Sequence, residues 1–398
     1  MPRKPKIAIV VPSVTEWGGL PTVAMFLYRA ISDSGKYEPS LISLAASSRD
    51  SESVRLLSPR TWRAGPQIAA GELHGVPFRH VGCYLSEFEF QRYLPRSALT
   101  QIFNEFDLLQ IVAGTPMLGF VAATAKRPTC LNVATTILRE RKGVLNGQRT
   151  ALKLWRLAMT GIDVGIERAA LHKMTHVFAE TTYAQKSMAA WLPKGNLSLG
   201  PPGIDTRLFH PTTYKENGHI LSVGRFSDPR KNTRLLFKSY HLLTNEFTHP
   251  PALVLAGFHG PSVEDLEYAR KLGILEQIRF VAQPSTNELI KLYQDAALFV
   301  LSSNEEGFGI VLIEAMASGL PVVSTRCGGP EDIVIDGESG YLTPINDASS
   351  MARKMSEFLR DPSLARHAGQ LGRQIVEERF SFRAAGRPYL DKYEQLLA

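Results

Sequence analysis

Two glutamates, Glu306 and Glu314, flank a glycine-containing loop that runs into an apolar helix. Within the loop, Gly307 and Gly309 allow a ligand to approach the backbone closely. The helix that begins at Ile310 presents unpaired backbone N–H groups at its N-terminus, which is the positive end of its dipole. This arrangement is typical of an anion site and suits a diphosphate group.

The two carboxylates require different explanations. Glu314 interrupts an apolar helix, and a carboxylate in such a place must find hydrogen-bond donors. Ribose hydroxyls of a nucleotide and backbone amides inside the domain are equal alternatives for these donors. Glu306 lies beside the predicted anion site, where a further negative charge is unfavourable. Contact with neutral sugar hydroxyls, or opposition to a developing positive charge, explains Glu306 better than a helix-capping role, which stays the alternative.

A second loop supplies positive charge. After the apolar run 220–223 the chain reads GRFSDPRKN at 224–232. Arg225 and Lys231 on such a loop would neutralise a diphosphate and the charge that develops on it as a leaving group. A solvated basic turn is the alternative. Gly19, the second residue of a Gly-Gly pair before a predicted helix, is a weaker candidate for phosphate contact.

The surrounding pattern predicts the elements that position these loops. In the second half, apolar runs alternate with amphipathic stretches, and helix start signals occur at Asn232 and at the capping box of Ser285 and Glu288. Such alternation is typical of a parallel sheet covered by helices on both faces. The first half repeats the theme. The predicted strands are 7–11, 41–44, 108–112, 130–133, 176–179, 220–223, 253–256, 278–281, 298–301, 321–323 and 341–342.

This pattern predicts two Rossmann-like, doubly wound α/β domains and a terminal helix. We place an N-terminal domain at 1–200 and a C-terminal domain at 201–380. The boundary follows from Gly-Pro-Pro-Gly and His-Pro, which interrupt regular structure within 199–218. The last segment, 381–398, has apolar residues at helical spacing.

Composition is typical of an intracellular globular protein. Of the 398 residues, 44% are hydrophobic and 21% charged, which excludes disorder as the main state. No uncharged apolar stretch approaches the roughly 20 residues of a membrane span, and the run 7–11 is too short for a signal-peptide core. The three cysteines are far apart and form no metal-ligand pattern. We expect a cytoplasmic protein without disulfides.

Positive charge is concentrated in the first half. The net charge is +7, and residues 1–200 hold 24 Lys and Arg against 14 Asp and Glu. This asymmetry indicates an anionic partner, such as a membrane surface, a phosphorylated acceptor or nucleic acid. The sequence has no recognisable helix-turn-helix, zinc-finger or RNA-recognition pattern, so we predict no nucleic-acid binding.

One basic segment of this half also has an apolar helical face. The range 139–156 holds six cations against one acid, and five apolar residues follow one another at spacings of three and four. Such a helix could lie on the inner face of an anionic membrane and reach a lipid-linked acceptor. A helix packed on its own domain is the ordinary alternative, and an anionic saccharide acceptor would suit the same charges. The cations are Arg139, Arg141, Lys142, Arg149, Lys153 and Arg156, and the apolar residues are Leu152, Trp155, Met159, Ile162 and Ile166.

Together these motifs resemble the retaining family 4 glycosyltransferases of the GT-B fold, also termed glycosyl transferases group 1. The resemblance covers the whole second half and, more thinly, the first. Its specific blocks are GRF…RK at 224–231, the Glu-x7-Glu pair around Gly-Phe-Gly, AMASGLPVV at 315–323, GGPEDIV…DG…GYL at 328–342 and PGIDTRLF at 202–209.

The resemblance implies two Rossmann-like domains facing across a cleft and a retaining transfer of sugar. The donor would be a nucleotide diphosphate sugar, the acceptor a saccharide or a lipid-linked molecule, and neither metal nor cofactor would take part. Arg225 and Lys231 would bind the donor diphosphate. Glu314 would bind the ribose and Glu306 the transferred sugar, so Glu306, Arg225 and Lys231 are the predicted catalytic residues. The predicted donor site consists of Gly19, Gly224, Arg225, Lys231, Glu306, Gly307, Phe308, Gly309, Ile310 and Glu314.

The first domain departs from the family pattern at one position. Many members place a histidine after a strand of the type at 108–112, and this sequence has none there. Its polar role would pass to Gln110 or Thr115. The family also sends its last helix back to the first domain, which we expect of 381–398.

Three other functions stay open. An enzyme of the same fold could epimerise or hydrolyse a nucleotide sugar, a non-catalytic module could bind the sugar nucleotide only, and a membrane-surface protein would need no carboxylate pair. The presence of both carboxylates and both cations favours the glycosyltransferase. A nicotinamide dehydrogenase is excluded, because the loop at 12–20 lacks Gly-x-Gly-x-x-Gly.

Overall fold

The computed structural model describes residues 3–14, 18–141 and 150–398, with the backbone alone described for 150–158. Two compact units divide the chain. The first consists of Met1–Gly203 with Ala385–Ala398, and the second of Ile204–Ala384.

Eight strands form the sheet of the first unit, namely β1 (Lys6–Pro12), β2 (Glu38–Leu44), β3 (Ile68–Leu73), β4 (Val76–Val81), β5 (Leu108–Ala113), β6 (Thr129–Val133), β7 (His176–Ala179) and β8 (Leu197–Leu199). Their order is β3-β4-β2-β1-β5-β6-β7-β8. All neighbours pair in parallel except β3 and β4, which form an antiparallel hairpin. The chain moves to one side of β1 and then returns to its other side at β5, so the topological switch point lies between β1 and β5.

In the described part of the first unit, the helices between these strands are α1 (Gly19–Asp33), α2 (Pro59–Ala64), α3 (Ser97–Phe103), α4 (Ile137–Glu140), α5 (Thr150–Lys173) and α6 (Thr182–Met188). Shorter 3₁₀ turns cover Glu89–Tyr93, Pro116–Ala122 and Ala189–Trp191. The central strand β5 is buried along its whole length, as expected of a strand covered by helices on both faces.

The second unit contains a six-stranded parallel sheet. Its strands are β9 (His219–Val223), β10 (Leu253–Gly257), β11 (Ile278–Ala282), β12 (Ala296–Leu301), β13 (Val322–Thr325) and β14 (Tyr341–Thr343). Their order is β11-β10-β9-β12-β13-β14, which places the switch point between β9 and β12. The helices are α7 (Thr233–Thr244), α8 (Val263–Lys271), α9 (Thr286–Gln294), α10 (Ile310–Ala317), α11 (Pro330–Ile333), α12 (Ala348–Arg360) and α13 (Pro362–Ile375).

Strand β12 shows why the runs in this unit are apolar throughout. Phe299 and Leu301 pack into the core on one face of the sheet, while Leu298 and Val300 pack into the core on the other. Because both faces are covered, alternation of polar and apolar residues is lost.

The chain leaves the second unit through a terminal helix. After α13, a π-helical turn covers Val376–Phe380, and α14 (Phe382–Leu397) follows. The residues of α14 from Ala385 onward belong to the first unit. Tyr389 and Tyr393 are buried there, and the ring of Tyr389 lies 4.3 Å from that of Phe178.

The prediction of two doubly wound α/β domains is confirmed. Each predicted strand overlaps an observed one, and the capping box of Ser285 and Glu288 begins α9 as expected. The β3–β4 hairpin was not predicted. Its turn has positive φ at His74 and Gly75, and a His-Gly pair is a weaker sequence signal for such a turn than Asn-Gly. No helix in the described ranges has the length and apolarity that a membrane crossing requires.

Candidate active site

Two loops at the switch point of the second unit hold most of the predicted site residues. One follows β9 and contains Gly224, Arg225 and Lys231, and the other follows β12 and contains Glu306. Strands β9 and β12 are parallel neighbours, so both loops leave the same edge of the sheet. In open α/β sheets this is where ligands bind.

Lys231 and Glu306 form an ion pair across the two loops. Lys231 Nζ lies 2.5 Å from Glu306 Oε1, and Ser303 Oγ donates to the same oxygen at 2.6 Å. The side chains of Lys231 and Glu306 are 18% and 12% exposed, so water screens the pair only partly. The negative charge beside the predicted anion site is thus compensated by a lysine of the protein.

The backbone around Glu306 fixes its place in the loop. Its N–H donates to the carbonyl of Cys327, and its carbonyl accepts from Gly329, both at 3.1 Å. Gly329 passes so close to the carbonyl of Phe308 that a Cβ there would lie 1.9 Å from the oxygen. A side chain at position 329 would therefore displace the loop.

Hydrogen bonds of the loop backbone position Lys231. The 3₁₀ turn Pro229–Lys231 ends at Asn232, whose side chain caps α7 by accepting from Leu235 N–H. The carbonyl of Lys231 accepts from Ser302 Oγ at 2.9 Å. The two loops are therefore linked by hydrogen bonds as well as by the ion pair.

Arg225 is the more accessible cation of the β9 loop. Its side chain is 51% exposed and lies 3.5 Å from Asp228. Asp228 also binds Arg230, at 2.8 Å. Burial raises the pKa of Asp228, but the hydrogen bonds and charge of Arg230 lower it by more than burial raises it. The pKa of Asp228 therefore lies below its usual range. Arg230 is thus committed to Asp228, while Arg225 is available to a ligand at the surface.

Glu314 receives a hydrogen bond that the sequence did not predict. It lies half-buried on α10, and the hydroxyl of Tyr293 on α9 donates to its Oε2 at 2.7 Å. Burial raises the pKa of Glu314 to about 7, and the Tyr293 hydrogen bond opposes that rise. Tyr293 was missed because it lies in the apolar stripe of α9, where an aromatic residue indicates core.

The start of α10 has the geometry of an anion site. Gly309 has φ 106° and precedes the helix without any side-chain cap, so the first N–H groups from Ile310 have no capping side chain. Glu306 is bound to Lys231 and does not cap this helix. The helix-capping role considered for Glu306 is therefore wrong. The ring of Phe308 packs in the core against Phe380, with centroids 5.6 Å apart. Phe308 can therefore offer a ligand only its backbone.

Gly19, the remaining predicted donor residue, lies in the first unit. It is exposed and begins α1. Gln110, one candidate for the missing histidine, is fully buried on β5. Its Oε1 accepts from Tyr393 at 2.7 Å, and its Nε2 donates to the Ile111 carbonyl. The side chain of Gln110 is therefore engaged within the core. Thr115, two residues after the end of this strand, stays the candidate for the polar role of the missing histidine.

The apolar residues of α5 that the structure describes lie beside its buried face, with Met159 and Ile166 partly buried. Its buried residues include Thr160, Asp163 and Glu167, whereas Ile162 is 46% exposed. Arg141 explains part of this orientation, because it pairs with Asp163 at 2.7 Å. Lys142 and Arg149 lie outside the described residues, as do the side chains of Leu152, Lys153, Trp155 and Arg156.

Fold and site together define the class of this protein. Two doubly wound parallel-sheet units are present, and the second has a basic loop, a paired carboxylate and an uncapped helix start at its switch point. The solved structure of a sucrose-phosphate synthase from Thermosynechococcus elongatus matches 99% of both chains with a TM-score of 0.75 and 21% identity. Anabaena HepE in complex with UDP and glucose matches 98% of this chain and 100% of its own, with a TM-score of 0.70 and 16% identity. At these identities the likeness establishes the fold, which is GT-B.

The sequence comparison finds a family match within the second unit. The family model of glycosyl transferases group 1 matches residues 205–375, which make up most of the second unit. A D-inositol 3-phosphate glycosyltransferase of Frankia alni is 31% identical over 216 residues, which are 50% of this chain and 52% of the relative. The chain thus spans about half the length of the curated relatives it matches. The family resemblance predicted from the motifs is confirmed.

Proposed function

We propose that this protein is a retaining glycosyltransferase that moves a hexose from a nucleotide diphosphate sugar to a saccharide or lipid-linked acceptor. The observation that carries the proposal is the Lys231–Glu306 pair at the carboxyl ends of β9 and β12, beside the uncapped start of α10. The family match within the second unit supports it.

In this proposal, the donor lies along the switch point of the second unit. Glu314 accepts hydrogen bonds from the ribose hydroxyls. Arg225, Lys231 and the N–H groups at the start of α10 bind the diphosphate. These positively charged and N–H groups lie where the diphosphate leaving group gains negative charge. They would stabilise that charge electrostatically, without a metal or cofactor.

The ion pair gives Lys231 and Glu306 linked roles. A diphosphate brings more negative charge than one carboxylate, so Lys231 exchanges part of its contact with Glu306 for the phosphate oxygens. This releases Glu306 Oε1 for a sugar hydroxyl, while Ser303 keeps the carboxylate in place. When the donor binds, the ion pair between Lys231 and Glu306 is thus replaced by one contact of each residue with the donor.

The bond changes of the transfer occur on one face of the sugar. The bond between the anomeric carbon and the diphosphate oxygen breaks, and a bond from the same carbon to the acceptor oxygen forms. The acceptor proton passes to the departing phosphate oxygen. In this proposal, Glu306 contacts the sugar and opposes the positive charge that develops on its ring.

We assign acceptor recognition to the first unit, whose positive charge suits an anionic acceptor or membrane. We also propose peripheral contact with the inner face of an anionic membrane from the cytoplasm. The support is the outward position of Ile162 on α5, together with the 50% exposed Leu138 nearby in the chain. Exposed apolar residues in a basic segment are typical of interfacial helices.

The test is nucleoside diphosphate release from a panel of UDP-, GDP-, ADP- and dTDP-sugars. Each sugar is incubated with and without a mixture of saccharides, phosphorylated saccharides and extracted lipids. Wild type, Glu306→Gln and the exposed control Glu338→Gln are compared. We expect acceptor-dependent release by wild type and Glu338→Gln, and about a hundredfold less by Glu306→Gln.

Other outcomes identify the alternatives. Equal release without acceptor would show a hydrolase, and a changed sugar without release would show an epimerase. Nucleotide binding without any turnover would show a binding module. Each of these results would overturn the proposal.

A further inference from the structure

The first unit exposes a group of large apolar side chains in one short part of its chain. Fourteen large hydrophobic side chains among the described residues are exposed, and six of them lie within 56–88. This range contains α2 and the hairpin whose strand β3 is the edge of the sheet. Scattered exposed apolar residues are ordinary, but a concentration of them indicates a contact surface. The six are Leu56, Leu57, Trp62, Ile68, Tyr84 and Phe88.

Leu57 and Trp62 are the most exposed of this group, at 90% and 57%. Leu57 lies in the loop before α2, and Trp62 lies within α2, of whose residues none is buried. A helix of a globular protein ordinarily packs one apolar face on the core. Helix α2 does not, so its apolar side chain is directed to a contact outside the unit.

Hydrogen bonds hold the segment 55–63 together in place of core packing. The backbone N–H of Arg55 donates to Thr61 Oγ1 at 3.0 Å, and the carbonyl of Arg55 accepts from Trp62 Nε1 at 2.8 Å. The indole N–H therefore has its partner inside the protein. The ring of Trp62 can leave water without losing a hydrogen bond, which is what entry into an apolar phase requires.

The segment is also joined to the chain that carries the other exposed aromatic rings. The backbone N–H of Leu56 donates to Glu87 Oε1 at 3.0 Å, and the N–H of Val54 donates to the carbonyl of Cys83 at 2.9 Å. Leu57 and Trp62 are thus presented by a loop that is already ordered. Binding through them would not have to order the backbone first.

The same segment is basic. Residues 55–63 include Arg55, Arg60 and Arg63 and no acid. Arg55 lies 4.0 Å from Glu87, whereas Arg60 and Arg63 are exposed and form no ion pair in the described part of the chain. Apolar side chains beside unpaired arginines suit an anionic bilayer, because the former enter the interface while the cations stay at the headgroups.

We propose that the segment 55–63 is a membrane-binding surface of the first unit, which docks on a bilayer that contains anionic phospholipid. Leu57 and Trp62 enter the interface, and Arg60 and Arg63 contact lipid phosphates. The inference rests on the proposed function, which includes membrane contact, and it assigns that contact to a second surface. None of its observations involves α5.

A bilayer fits this segment better than a protein partner. The segment is far smaller than the roughly 20–30 residues that each partner contributes to a standard protein interface. A protein would also have to place acids opposite Arg60 and Arg63, whereas an anionic leaflet supplies phosphate groups at every lateral position. The exposed leucine and tryptophan are the residue types found at membrane interfaces.

Leu57→Ser tests the apolar part of the surface. Because Leu57 is almost fully exposed, the variant should keep the Tm of wild type. Its binding to phosphatidylglycerol vesicles should fall about five- to tenfold, since a leucine no longer leaves water. Val263→Ser in the second unit is the matched control, because Val263 is 69% exposed and lies outside the group. This control should bind as wild type does.

Arg60→Gln combined with Arg63→Gln tests the electrostatic part. One arginine near an anionic leaflet strengthens binding about fivefold, so the double variant should bind at least about tenfold less. The difference should shrink as salt is added. Arg270→Gln with Lys271→Gln removes the same charge from exposed positions of the second unit and is the control.

Trp62 reports its own position. The fluorescence of wild type should shift to the blue when phosphatidylglycerol vesicles are added, because the indole ring leaves water. Trp62→Phe keeps an apolar ring, so it should still sediment with the vesicles while the shift becomes smaller. A shift that is unchanged in Trp62→Phe would overturn the insertion of this ring.

The closing experiment is sedimentation of the full chain with phosphatidylglycerol and with phosphatidylcholine vesicles. Binding of Leu57→Ser equal to that of Val263→Ser would overturn the inference, and so would a wild type that binds no vesicle. Sedimentation velocity without lipid is measured in parallel. A dimer that Leu57→Ser dissociates would identify a second copy of the chain as the occupant and would also overturn it.

Failure of the inference and failure of the proposed function are distinguishable. Vesicle binding that is lost in Ile162→Ser and kept in Leu57→Ser would overturn this surface and leave the proposed contact of α5. Nucleoside diphosphate release from the sugar panel decides the transferase separately. A wild type that binds vesicles through Leu57 but releases no nucleotide would keep the inference and overturn the proposed enzyme.

Discussion

Lys231 Nζ and Glu306 Oε1 lie 2.5 Å apart although the two residues are 75 positions apart in the chain. The motif suggested a separate ligand for each, phosphate for the lysine and sugar for the glutamate. The structure pairs them with each other. In the proposed mechanism, donor binding therefore competes with an internal ion pair.

This pairing predicts that a double variant regains stability without regaining activity. Lys231→Met leaves Glu306 partly buried without its cation, which should cost about 1–3 kcal/mol of unfolding free energy. Lys231→Met with Glu306→Gln removes both charges and should recover most of that loss, while turnover stays at least about a hundredfold below wild type. Chemical denaturation and initial rates measure the two quantities. Recovery of activity together with stability would contradict the ligand roles.

Glu314 should make nucleotide binding depend on pH. Burial raises its pKa to about 7, and ribose hydroxyls donate to the ionised form. Nucleotide affinity should therefore increase as pH rises from about 6 to 8 and level off above that range. Calorimetric titration of the stabilising nucleoside diphosphate at several pH values measures this.

The control for this prediction is Glu314→Gln, which should bind more weakly and lose this part of the pH dependence. Tyr293→Phe removes the hydrogen bond that lowers the pKa of Glu314, so its profile should shift to higher pH. The folded carboxyl binds its proton more tightly than the unfolded one, so its contribution to stability should fall as pH rises from about 4.5 to 7. An unshifted profile in Tyr293→Phe would contradict the role of this hydrogen bond.

Gly309→Ala should weaken nucleotide binding beyond its effect on stability. At φ 106° an alanine is strained, and its Cβ would also lie 3.3 Å from Leu312. Gly337, with φ 83° and no neighbour within 4 Å of such a Cβ, gives a matched control for strain alone. Both variants should lose about 1–2 kcal/mol of unfolding free energy, but only Gly309→Ala should lose nucleotide affinity. Equal affinities would show that the start of α10 binds no phosphate.

Ile162 should contribute to membrane contact. Wild type should sediment with phosphatidylglycerol vesicles more than with phosphatidylcholine vesicles, and Ile162→Ser should bind several-fold less. Ile335 in the second unit is similarly exposed, at 44%, so Ile335→Ser is the control. Binding that is equal in both variants, or absent in wild type, would contradict the proposal.

The sequence was informative where a pattern depends on near neighbours. The continuous burial of β12, the Asn232 cap and the glycine before α10 all follow from local residue types, and so do the two doubly wound sheets. The Lys231–Glu306 pair was not predictable in this way, because it depends on β9 and β12 being neighbours in the sheet. Tyr293 was missed for a similar reason, since a stripe of apolar residues does not show which hydroxyl finds a carboxylate.

Helix α5 illustrates the opposite case, in which polar pairs bury a face beside the apolar residues Met159, Ile162 and Ile166. Apolar residues at helical spacing ordinarily indicate the buried side. Here Asp163 is buried because Arg141 pairs with it, and Glu167 is buried because it accepts from the Ile137 N–H at 3.0 Å. Such long-range polar pairs override hydrophobic periodicity and cannot be read from spacing.

The central claim, a diphosphate site built on Lys231, is tested most directly by thermal unfolding with UDP, GDP, ADP and dTDP. Wild type and Lys231→Ala are compared at saturating nucleotide. We predict that one nucleotide raises the Tm of wild type by several degrees, as expected for ligand at about a hundred times its Kd, and raises that of Lys231→Ala far less. Equal shifts in both proteins, or no shift with any nucleotide, would contradict the site.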